Sequence, residues 1–117
     1  MPDSLTLRRP DDWHLHLRDG AELRTVVHFT AERFARALIM PNLPTPVTTV
    51  DRAVAYRRRI VDSLPPGSTF EPLMTRYLTD ATAAAEIDAA RASGIIRGVK
   101  FYPAGATTHA DAGVRRI

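Results

Sequence analysis

The chain has 117 residues, 44% hydrophobic and 25% charged, the balance of one small globular domain rather than a disordered or fibrous chain. No apolar run approaches the roughly 20 residues that span a bilayer, and Met1-Pro2-Asp3-Ser4 lacks the basic-then-apolar order of a secretory signal; with no cysteine there is neither a disulfide framework nor a thiolate zinc site, so a cytoplasmic chain without membrane attachment is expected. Sixteen basic against thirteen acidic residues give a net charge of +3, but the arginines are mixed with carboxylates except at Arg57-Arg58-Arg59, a triplet expected on a solvated helix face, and no nucleic-acid partner is expected.

In chain order, Leu5-Thr6-Leu7-Arg8 alternates apolar and polar residues and predicts a short strand. Asp12 to Arg18 alternates again, with Trp13, Leu15 and Leu17 on one face and Asp12, His14, His16 and Arg18 on the other. Asp19-Gly20 breaks it, and Leu23, Val26 and Val27 predict a helix over Ala21 to His28. Phe34 to Met40 reads as a buried strand, ended by the three prolines of Pro41-Asn42-Leu43-Pro44-Thr45-Pro46. A helix from Val50 to Leu64 follows, capped by Thr48 or Thr49, with Val50, Val54, Val61 and Leu64 as its apolar stripe. Phe70 to Tyr77 predicts a third core strand, Thr82 to Ser93 a helix stopped by Gly94, and Ile95 to Phe101 a fourth core strand. Pro103 to Gly113 reads as a loop. This alternation belongs to parallel α/β folds. Its four core strands and three helices suit either a small open sheet or half of a (β/α)₈ barrel of about 250 residues.

Two features carry chemistry. In His14-Leu15-His16 both imidazoles point to one side of a strand, where neutral nitrogens can grip one metal ion of the zinc type, although two histidines can also share a strand face by chance. Arg18 continues that face towards the C-terminal end of the strand, the end at which α/β barrels build their sites. The second feature is Lys100. Fifteen of the sixteen basic residues are arginine and Lys100 is the sole lysine. Only lysine can give up its proton and act as an amine. It falls near the end of the fourth core strand, on a face with Ile96 and Gly98, Gly98 leaving room beside it. Burial would favour the neutral amine, which can form a Schiff base, act as a base, or add carbon dioxide to become a carbamate. Compositional bias and a lysine reaching to solvent are the plain alternatives.

The segment Arg9-Pro10-Asp11-Asp12-Trp13-His14-Leu15-His16-Leu17-Arg18-Asp19-Gly20 resembles the opening signature of the bacterial monofunctional dihydroorotases, of the amidohydrolase superfamily. Met40-Pro41-Asn42-Leu43, Pro46-Val47-Thr48-Thr49-Val50, Ala53-Val54-Ala55-Tyr56-Arg57, Pro72-Leu73-Met74-Thr75, Tyr77-Leu78-Thr79-Asp80 and Lys100-Phe101-Tyr102-Pro103-Ala104 are similar to its following segments, in the same order. The resemblance implies the N-terminal half of a (β/α)₈ TIM barrel, with residues 1–117 an incomplete part of one domain. It implies zinc ligation by His14 and His16, and by Lys100 as an N6-carboxylysine bridging two zinc ions. It implies binding of the substrate carboxylate by Arg18 and Asn42, and a mobile loop carrying Thr107 and Thr108, with Gly105 departing from the asparagine of some relatives. The implied reaction is the reversible closure of N-carbamoyl-L-aspartate to L-dihydroorotate in pyrimidine synthesis, by an enzyme that is commonly a homodimer. In that family the proton-shuttling aspartate and two further histidine ligands come from strands beyond Ile117, so this segment alone is expected to be inactive. A hydantoinase-like amidohydrolase and a shortened non-catalytic homologue serving as a binding partner are the rival readings.

Overall fold

The structure, a computed structural model, describes residues 3–116; the leader reading of Met1 and Pro2 lies outside them, as does Ile117. Its elements are β1 (Asp11–Leu15), α1 (Gly20–Arg33), β2 (Arg36–Ile39), α2 (Val50–Asp62), β3 (Glu71–Tyr77), α3 (Ala84–Ala92) and β4 (Ile96–Lys100). All three strand pairings are parallel and the sheet order is β1-β2-β3-β4. Three consecutive strand–helix units and a fourth strand, laid side by side in sequence order, have the arrangement of half of a (β/α)₈ barrel.

The helices form where the sequence supplies caps. Asp19 accepts the Gly20 N–H at the start of α1 (2.9 Å). Of the two candidate threonines it is Thr49 that caps α2, accepting from Arg52 N–H at 3.2 Å. Thr82, expected in the third helix, instead accepts the Thr79 N–H and closes a turn, so α3 begins at Ala84, with Glu86 reaching back to the Ala83 N–H. Gly94, at φ +69°, follows the last turn as expected.

One apolar layer joins sheet and helices: Leu23 and Val27 of α1, Ala37 and Ile39 of β2, Ala53, Tyr56 and Ile60 of α2, Met74 of β3, Ala90 of α3 and Ile96 of β4. The guanidinium of Arg76 is also buried on this side. It donates to the Thr48 carbonyl and lies 3.5 Å from Glu86, tying the entry of α2 to α3. The opposite face carries Leu38, Thr75, Gly98 and Lys100 around an open cavity of about 310 Å³. No helix among the described residues is long and apolar enough to cross a membrane.

Four sequence expectations are corrected. Leu5 to Arg8 forms no strand; Leu5 and Leu7 stand in solvent and no strand pairs with them. The expected Asp12–Arg18 strand ends at Leu15, leaving His16 and Arg18 beyond it. The strict alternation of both chemistry-bearing strands is broken by bulges. Between Asp12 and Leu15 β1 advances three residues while β2 advances two, and Trp13 turns to the open face, where the Arg36 guanidinium lies 5.8 Å from its ring. Ile96 pairs with Met74 but Gly98 with Thr75, so Ile96 enters the helix-side core and does not share the face of Lys100. Finally, α2 buries Ala53, Tyr56 and Ile60; of the expected stripe Val50 and Leu64 pack against the core, while Val54 and Val61 are exposed.

The loop after β4 closes on itself through a parallel bridge between Pro103 and Val114. The Val114 N–H donates to Tyr102 O and the Ala104 N–H to Val114 O. A Cβ at Gly113 would lie 2.6 Å from Tyr102 O and 3.0 Å from both Ala104 N and Ala110 O, all backbone atoms. Gly113→Ala is therefore expected to open this bridge, at a local cost of ~1–3 kcal/mol. Faster amide exchange at Ala104 and Val114, with the sheet amides unchanged, is the expected readout.

Candidate metal centre and substrate site

In a parallel sheet every strand delivers its C-terminal end to the same edge, and here that edge collects the titratable residues. The β1 bulge and exit bring His14 and His16 together. Their Nε2 atoms are 3.2 Å apart and their ring centroids 5.2 Å apart, at 46°. His16 is depressed to about 4, first by its burial and then by the positive charges of Lys100, Arg18 and His14. Its imidazole is thus neutral at physiological pH, the form that can ligate a metal.

Lys100, at the end of β4, is 9% exposed. Its Nζ donates to Asn42 Oδ1 at 3.0 Å and stands 4.9 Å from the centre of the Tyr102 ring. No described carboxylate pairs with it, and burial pulls its pKa below the ordinary lysine value. Trp13, His14, Leu38, Thr75, Lys100 and Tyr102 line the same open cavity. A methyl at Gly98 would meet only Thr75 Cγ2, at 3.6 Å, so space for the lysine does not depend on this glycine.

Asn42 is held by a buried turn after β2, in which the Pro41 carbonyl accepts both the Leu43 and Val47 amides. Its side chain bridges two elements, accepting from Lys100 and donating to Thr108 O at 2.9 Å. The loop carrying Thr107 and Thr108 is therefore tied to the site through Thr108's main chain rather than its hydroxyl. Arg18 lies between β1 and α1 at φ +59°, and its carbonyl accepts from the buried Tyr56 hydroxyl at 2.5 Å. Sequence reading missed Tyr56, Tyr102 and the Arg59–Asp19 ion pair (2.9 Å). The buried phase of α2 contained the one usable signal, since the polar tip of a buried tyrosine needs a partner.

The donor set suits a zinc-like ion. Two nitrogens at ~2.0–2.1 Å from a tetrahedral centre are about 3.3 Å apart, close to the separation of the two Nε2 atoms. Among the described residues no three His, Cys, Asp or Glu side chains gather into a metal-binding group.

No family model matches the chain. Curated dihydroorotases match it end to end: that of Cupriavidus metallidurans is 67% identical over 117 residues, covering 100% of this chain and 34% of the relative. That of Methylobacillus flagellatus is 62% identical over the same extent. The chain thus spans about a third of the length of the curated relatives it matches. Among solved structures, dihydroorotase from Campylobacter jejuni superposes with a TM-score of 0.84 at 36% identity, covering 92% of this chain and 31% of that one. Dihydroorotase from Saccharomyces cerevisiae, in complex with 5-fluoroorotic acid, superposes with a TM-score of 0.76 at 40% identity, covering 90% and 28%. In sequence over its whole length, and in fold over 92% of it, the chain is similar to about one third of a dihydroorotase.

Proposed function

We propose that these residues contribute to a zinc-dependent dihydroorotase that interconverts N-carbamoyl-L-aspartate and L-dihydroorotate in the cytoplasm, and that its complete form is a homodimer. The observation that carries this reading is a close imidazole pair, of which His14 lines one strand-end cavity together with the only lysine, in a chain 62–67% identical to dihydroorotases. His14, His16 and a carboxylated Lys100 would hold the metal. When bound, a zinc pair supplies a nucleophile from water near neutral pH and Lewis-acid polarisation of the ring amide.

This chain's own side chains would bind and enclose the substrate. The Arg18 guanidinium offers two parallel N–H donors that match a carboxylate, and Asn42, already a donor and acceptor inside the site, adds a neutral contact. The 103–114 loop, joined to Asn42 at Thr108, would bring Thr107 and Thr108 over the substrate and exclude water. The proton shuttle to the leaving nitrogen has no assigned residue in this segment. Asp19, next to Arg18 in the chain, is held by Arg59 and the Gly20 N–H.

The test is steady-state hydrolysis of L-dihydroorotate and of hydantoin by the full-length protein. Preferential, chelator-sensitive turnover of dihydroorotate is expected, and faster turnover of hydantoin would contradict the substrate assignment. The 117-residue polypeptide, with zinc and bicarbonate added, is expected to give no turnover. Robust hydrolysis by it would refute the view that further residues complete the site.

A further inference from the structure

Arg18 is a non-glycine residue at φ +59°, a left-handed conformation that costs an L-residue energy and persists only where its surroundings enforce it. The enforcement comes from one face of α2. Tyr56, fully buried, donates its hydroxyl to the Arg18 carbonyl at 2.5 Å. One helical turn on, Arg59 donates Nε and Nη2 to the two Asp19 oxygens, both at 2.9 Å, and its guanidinium carbon lies 5.4 Å from the centre of the Tyr56 ring. Asp19 in turn caps α1 through the Gly20 N–H, and Leu17, on the other side of Arg18, is sunk in the core. The peptide units on both sides of Arg18 are thereby fixed, and with them the direction in which its Cα–Cβ bond leaves the chain.

We propose that Tyr56 and Arg59 are positioning residues that aim the Arg18 guanidinium at the carboxylate of the substrate. They hold its left-handed backbone from the second helix without touching the ligand. This inference rests on the reading of Arg18 as the carboxylate-binding residue. A purely structural clamp would affect stability and the fraction of active protein, hence kcat; a clamp that aims Arg18 acts on KM and acts only through Arg18.

The experiment is a double-mutant cycle in the full-length protein with L-dihydroorotate as substrate. Tyr56→Phe removes one hydroxyl and keeps the ring. It is expected to raise KM about tenfold with little change in kcat, and Arg59→Gln to shift KM in the same direction. On an Arg18→Ala background, Tyr56→Phe is expected to add nothing further to KM. If Arg18→Ala raises KM but Tyr56→Phe and Arg59→Gln do not, or if the effects simply multiply, the positioning role is overturned and the role of Arg18 stands. If Arg18→Ala leaves KM unchanged, the role of Arg18 falls and this inference with it. Should Tyr56→Phe lower the melting temperature enough to reduce the folded population, Arg59→Gln decides by the same two comparisons.

Discussion

Replacing Lys100 with alanine in the full-length protein is expected to lower kcat/KM for dihydroorotate by more than ~100-fold, a loss larger than that typical of removing a group that merely supports a metal ligand. The side chain is 9% exposed and has only Asn42 Oδ1 as a hydrogen-bond acceptor, so nothing described neutralises a permanent positive charge there. Burial lowers its pKa and makes a reactive free amine accessible, the form that adds carbon dioxide. Lys100→Arg should fail equally, because a guanidinium keeps its proton and cannot form the carbamate. The lysine lies outside the apolar layer that joins sheet to helices, so the fold should survive both changes. Parallel measurements of zinc content and of the far-ultraviolet circular dichroism spectrum separate a lost ligand from a lost fold. Activity of Lys100→Arg within about threefold of the parent would rule out a carbamate ligand.

The second large effect concerns stability. Ile60→Ala is expected to cost ~2–5 kcal/mol, because the side chain is fully enclosed between α2 and the sheet and its loss leaves a cavity. Its neighbour Val61 is 41% exposed, and Val61→Ala should cost no more than about 0.5 kcal/mol. Urea unfolding of the full-length variants measures both. Adjacent aliphatic positions with opposite outcomes would establish which face of α2 is buried; equal costs would return the helix to the Val50–Val54–Val61–Leu64 phase.

That phase error illustrates what the letters carried. The strand–helix alternation was legible because apolar period and capping residues agreed: Asp19 and Thr49 start their helices and Gly94 follows the third. For α2, however, two apolar stripes compete, and the valine stripe scores better by hydrophobicity alone. The structure buries the alternative because Tyr56 finds a hydrogen-bond partner in the β1–α1 loop, a contact 38 residues distant that local periodicity cannot register. Leu5 to Arg8 shows the converse, since alternation without a neighbouring strand makes no sheet.

The candidate site divides in the same way. His14, His16 and Lys100 could be picked out by residue type and strand position, and they lie at one edge of the sheet. The bulges in β1 and β4 could not, because a bulge depends on the partner's register, and they decide that Trp13 faces the cavity and that Ile96 does not. Nor could the buried link of Lys100 through Asn42 to Thr108, which joins β4 to the turn after β2 and to the 103–114 loop. The left-handed backbone of Arg18 was equally hidden, as nothing in Leu17-Arg18-Asp19 marks a position usually given to glycine or asparagine.

Anomalous diffraction at the zinc absorption edge from crystals of the full-length protein tests the central claim most directly. The account predicts a peak within about 2.0–2.1 Å of both His14 Nε2 and His16 Nε2, with electron density extending from Lys100 Nζ to the metal. A peak elsewhere, or histidine nitrogens turned away from it and an unmodified Lys100 still bonded to Asn42, would contradict it.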